Sequence, residues 1–148
     1  MKYSMLVLAA AVAACVQSAN SPETADSAVI TTGTYFGFCQ GYCTSEMIVD
    51  GETLRLTETG RDPVQFPPRT RTLQLSAADR ARFTALVDPA ALAGLAGTHG
   101  CPDCADGGGE WIQYRAGPDS TRIIFEYGKT LEPIAALQAE LRALRHRF

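Results

Sequence analysis

The sequence predicts an α+β fold: a small antiparallel sheet built from two hairpins, packed on two main helices on one face. Three observations predict it. Asp50-Gly51 joins two short alternating apolar runs within 45–59. A second alternating pair, 110–116 and 121–127, flanks Gly117-Pro118-Asp119-Ser120. Ile134, Leu137, Leu141, Leu144 and Phe148 recur at steps of three, four, three and four. Alternation is the mark of a half-buried strand, and the longer step is the mark of an amphipathic helix. Hairpins and helices segregated along the chain give an antiparallel sheet with helices on one face.

The chain has 148 residues, enough for one domain and a tail. Its net charge of −3 calls for neither nucleic acid nor an anionic lipid surface. Lys2 precedes an apolar stretch of ten residues, 5–14 (MLVLAAAVAA), which is too short to span a bilayer. The order of charge, apolar run and small residues is that of a signal peptide. Val12-Ala13-Ala14-Cys15 resembles the lipobox of bacterial lipoproteins. The resemblance implies cleavage after residue 14 and lipidation of Cys15, palmitate among its acyl chains. Several chains on one cysteine hold a protein stably at a membrane. Val16, where an Asp would resemble an inner-membrane retention signal, implies the outer membrane, facing the periplasm. Residues 15–32 are small and polar and read as a flexible tether with an r.m.s. reach of roughly 20 Å. A docked first strand at 28–31 is an alternative for its end. The folded domain is expected over 33–148.

The first hairpin follows a loop bearing Cys39 and Cys43. An Asp-Gly loop favours positive φ at its centre. With Asp50 and Gly51 as the turn, Val49 faces Glu52, Met47 faces Leu54, and Glu46 pairs with Arg55. Residues 60–72 hold Pro63, Pro67 and Pro68 and are expected to be loop. Ser76 with Asp79 resembles a capping box, starting a helix to about Val87 that buries Phe83, Leu86 and Val87. Asp88-Pro89 restarts a short turn ending near Gly94, with Leu92 and Leu95 inward. Residues 97–109 are too glycine-rich for a regular element. The last helix starts near Pro133 with Thr130 or Glu132 as its cap. Arg142, Arg145 and Arg147 complement its negative end.

Five cysteines are an odd number, and Cys15 accounts for the odd one. Cys39, Cys43, Cys101 and Cys104 remain. Export favours oxidation, and two local clips, 39–43 and 101–104, are the expected pairing. Crossed bridges, a four-cysteine zinc site and a redox Cys-Pro-Asp-Cys site are the alternatives. Asp103, Asp106 and Glu110 offer oxygens for Ca²⁺, against the plain reading that Asp and Gly make turns. His99 and His146 stand in no nucleophile motif, and Gly107-Gly108-Gly109 lacks the residues of a phosphate loop. Trp111 and the aromatics of 35–42 read as core.

Gly37-Phe38-Cys39-Gln40-Gly41-Tyr42-Cys43, then an apolar strand and Asp50-Gly51, is similar to a family of bacterial lipoproteins carrying a domain of unknown function. The similarity spans 34 to about 145 and implies no catalytic residue. Small size, no convergent acid–base set and two stapled loops give the expected function: a non-enzymatic, lipid-anchored envelope module without cofactor, binding an envelope protein, peptide or glycan. The alternative is a periplasmic redox or zinc protein using Cys101 and Cys104.

Overall fold

The computed structural model describes residues 28–148. The signal segment, Cys15 and the tether as far as 27 lie outside the described residues. The strands are β1 (Val29–Tyr35), β2 (Tyr42–Asp50), β3 (Thr53–Gly60), β4 (Arg69–Gln74), β5 (Gly97–His99), β6 (Gly109–Ala116) and β7 (Asp119–Glu126). The helices are α1 (Ala77–Leu86), α2 (Pro89–Gly94) and α3 (Ala135–Arg145). The fold is α+β, with one seven-stranded sheet in the order β4-β3-β2-β1-β6-β7-β5. All neighbours are antiparallel except β5 and β7, which run parallel.

The sheet is larger than two hairpins, because three more strands join it. β1 is its central strand, paired with β2 on one side and β6 on the other. It starts at Val29, four residues before the boundary read at 33. Val29-Ile30-Thr31-Thr32 are all β-branched, which suits a pleated central strand. β4 takes the end of the expected 60–72 loop, from Arg69, and runs on to Gln74. Prolines exclude a central strand, but β4 begins after Pro68 and lies at the sheet edge. β5 takes three residues from the glycine-rich stretch, starting at Gly97 with φ +115°.

The first hairpin turns one residue later than the Asp-Gly pair suggests. Asp50 pairs with Thr53, so Gly51 and Glu52 form the turn. Gly51 has φ +55°, matching the glycine-first pattern of a type II′ turn. Val49 now faces Leu54 and Met47 faces Leu56, while Arg55 stands opposite Ile48. All four apolar residues are buried. The expected register would have set Val49 against charged Glu52, and burial decides between the two. The second hairpin closes tightly on Gly117-Pro118, with Ala116 paired to Asp119.

Ser76 Oγ accepts the Asp79 N–H, and Asp88 Oδ1 accepts from Ala90 and Ala91, so both expected caps form. α3 is started differently. No side chain caps its first turn; buried Gln138 accepts the Leu131 N–H at 2.7 Å and donates to the Lys129 carbonyl. The core lies between the helices and one sheet face. Phe83, Leu92, Leu137, Leu141 and Leu144 pack there against Ile30, Met47, Leu54, Ile112, Ile123 and Phe125. Each such side chain contributes roughly 1.5–3 kcal/mol by leaving water. On the opposite face Trp111 lies against Gly33, where a Cβ would collide with the indole, and Arg122 stacks 4.0 Å from its ring.

Candidate functional site

The strand directions bring both cysteine loops to the same end of the sheet. β1 ends and β2 begins at the 36–41 loop, and β6 begins after the 100–108 loop. Cys39 pairs with Cys43 and Cys101 with Cys104, at Cα separations of 5.6 and 5.5 Å. Both are the local clips expected, and with all four sulfurs paired no thiolate of the set remains for zinc. Asp103 fastens the two loops together. Its carboxylate accepts the Gly37 N–H at 2.9 Å and the Gly108 N–H at 3.1 Å. Asp103, Ala105 and Asp106 all have positive φ, a conformation that costs a non-glycine residue energy unless its surroundings hold it. Gly108 also has positive φ, and a Cβ there would strike the Phe36 ring.

Two adjoining depressions open at this end and share Tyr127. One, about 280 Å³, lies against the exposed Cys101–Cys104 disulfide. The other, about 220 Å³, is bounded by Phe36, Glu110, Tyr127, Arg142, Arg145 and His146. Phe36 and Tyr127 meet edge to face with centroids 4.9 Å apart. The floor is an ion cluster. Glu110, with its side chain only 4% exposed, accepts from Arg142 Nη2 at 2.5 Å and from Arg145 Nη1 at 3.2 Å. The Gly128 N–H adds a bond to the same carboxylate. Arg145 Nη2 reaches Thr32 Oγ1, and Thr32 in turn donates to the Trp111 carbonyl.

The helix-end arginines therefore do more than balance a dipole. Arg142 and Arg145, three apart on one face of α3, reach across to β6. Arg147 instead pairs with Asp79 of α1 at 3.0 Å. The oxygens considered for Ca²⁺ are divided: Asp103 serves backbone amides and Glu110 serves arginines. Among the described residues, no group of three or more His, Cys, Asp or Glu side chains is placed to hold a metal ion. His99 is bonded to the Leu95 carbonyl at 2.8 Å. His146 is exposed at the cleft rim. Sequence reasoning missed Phe36, Tyr127 and the Glu110 cluster as a set. The available signal was Arg142 and Arg145 at helical spacing, but their partner lies 32 residues before Arg142.

Two further charge clusters lie elsewhere. Glu58 holds Arg69 and Arg71 across β3 and β4; the Arg69 hydrogen bond is the main reason its carboxyl sits below the usual range, against the opposing pull of burial. Asp79 is likewise lowered, first by the Ser76 hydroxyl and then by Arg147.

Comparison with known proteins adds no relative: no family model matches the chain, and no curated protein matches it significantly.

Proposed function

We propose that the chain is a lipid-anchored lipoprotein of the bacterial cell envelope, held through Cys15 at the outer membrane and facing the periplasm. Its folded domain acts as a non-enzymatic binding module for an envelope protein, peptide or glycan. One observation supports this above the others: the chain joins the sheet at the far end of β1 from both disulfide loops. Seven residues at ~3.3 Å each would set those loops about 20 Å further from the point of attachment. Two covalent clips and the Asp103 tie hold a preorganised surface there, which lowers the ordering cost of binding. Disulfides also fit an oxidising compartment.

The test is acylation and fractionation of the full chain beside a Cys15→Ser variant. The wild type should take up labelled palmitate and sediment with outer membranes. The variant should do neither. An unacylated soluble wild type, or four reduced thiols in native cells, would overturn the reading.

Exposure of the Cys101–Cys104 pair favours thiol–disulfide exchange as the second reading. It predicts a reduction potential in the oxidoreductase range and loss of exchange in a Cys101→Ser, Cys104→Ser variant.

A further inference from the structure

The Glu110 cluster carries more positive charge than it neutralises. Two guanidiniums face one carboxylate, leaving a unit positive charge in a largely buried place; the side chains of Arg142 and Arg145 are 28% and 15% exposed. The nearby Lys129 and Glu126 pair with each other and cancel. Arg142 directs Nε and Nη2 at Glu110 and the Lys129 carbonyl, leaving Nη1 over. Arg145 Nε is buried without an acceptor among the described residues. Buried polar donors are normally satisfied, so the Arg145 Nε calls for an explanation, while Arg142 Nη1 is simply a donor without a protein acceptor among the described residues. The cleft above them has an apolar wall, the Phe36–Tyr127 pair.

We propose that this cleft takes a small organic carboxylate carrying an apolar group, an inference that rests on the binding-module reading. Three features choose the ligand. A unit positive charge is balanced by one carboxylate, whereas a phosphate would bring nearly two negative charges. Guanidinium and carboxylate match in plane and spacing, giving short charge-assisted bonds. A volume of about 220 Å³ is below that of drug-sized sites, so it fits a single residue or a small acid. The carboxylate lies against Arg142 and Arg145, and the apolar group lies on Tyr127. A free acid and the C-terminal residue of a peptide present the same chemistry.

The test is calorimetric titration of the full chain with N-acetylphenylalanine, with its amide, and with an acetylated tetrapeptide ending in phenylalanine as acid or amide. Each acid should bind at least tenfold more tightly than its amide. A tenfold advantage of the peptide acid over the single residue identifies a chain terminus as the source; equal affinities identify a small acid. Tyr127 is exposed, so Tyr127→Ala should fold normally and weaken binding about tenfold. Arg142→Lys keeps the charge but loses the planar fork and should weaken the acids alone. Acids and amides binding alike, or no binding of any of the four at millimolar concentration, overturns the proposal. Acylation and fractionation are read separately, so this failure leaves the anchoring and module reading standing.

Discussion

Asp103 in one disulfide loop holds the backbone amide of Gly37 in the other, at 2.9 Å. The bond joins segments 66 residues apart and makes one surface of two loops. Asp103→Ala removes both acceptors and also places a β-carbon residue with no local hydrogen bond at φ +63°. Hydrogen bonds to a charged group contribute about 1.5–3 kcal/mol, and partial exposure lowers that here. The variant is expected to lose about 1 kcal/mol in urea unfolding. Amide exchange at Gly37 and Gly108 should quicken while β2 and β3 stay protected.

Glu110→Gln conserves shape but leaves two guanidiniums against a neutral group. Removing one partner of a buried ion cluster typically costs 3–5 kcal/mol. The partial exposure of Arg142 puts the expected loss near the low end, about 3 kcal/mol, in urea unfolding. A loss below about 0.5 kcal/mol would mean water already screens the cluster.

Acid should destabilise the fold through Glu58 and Asp79. Both carboxyls sit below their ordinary values of 4.5 and 3.8 in the folded chain. A lowered acid stabilises the fold above its unfolded value, and that contribution is lost as pH falls through the folded value. The urea midpoint should therefore hold steady from pH 7 and decline once pH drops below 4.5. Glu58→Gln should start lower at pH 7 and decline less steeply. Parallel curves for variant and wild type would remove Glu58 from the account.

The two disulfides should differ in reactivity. Cys101 and Cys104 are exposed, whereas Cys43 is buried at 6% exposure. Timed alkylation after mild reductant should label 101 and 104 first. Loops this short give at most about 2 kcal/mol each in the chain-entropy account. Replacing both cysteines of the 101–104 pair by serine should cost no more than that, and the 39–43 pair more, because a serine hydroxyl would replace the buried Cys43 sulfur. Equal labelling rates would contradict the exposure argument.

Local chemistry was legible. Ser76 and Asp88 cap the helices as their sequence context indicates, and the α3 stripe from Ile134 to Leu144 is buried as its spacing requires. The local pairing of cysteines was also legible, from their spacing and the oxidising compartment the sequence led us to expect. What escaped was non-local. β4 and β5 are strands because β3 and β7 offer free edges, not because 69–74 or 97–99 are strongly strand-forming. The turn at Gly51-Glu52 was displaced by a requirement of the core, which outweighed the local preference of Asp50-Gly51. Glu110 looked like the start of a strand and a cation-binding oxygen, since nothing near it in sequence announces Arg142 and Arg145.

The place of β1 has a consequence for how the molecule is made. The earliest strand among the described residues lies in the middle of the sheet, and its second neighbour, β6, begins only at Gly109. After β2 has folded back on it, the growing polypeptide still presents an open flank of Val29, Thr31 and Gly33 until most of the remaining sequence has emerged. Completion of the sheet is a late event for its earliest part, and a ribosome that stalls before residue 109 leaves a sticky half-sheet for proteases and chaperones to find.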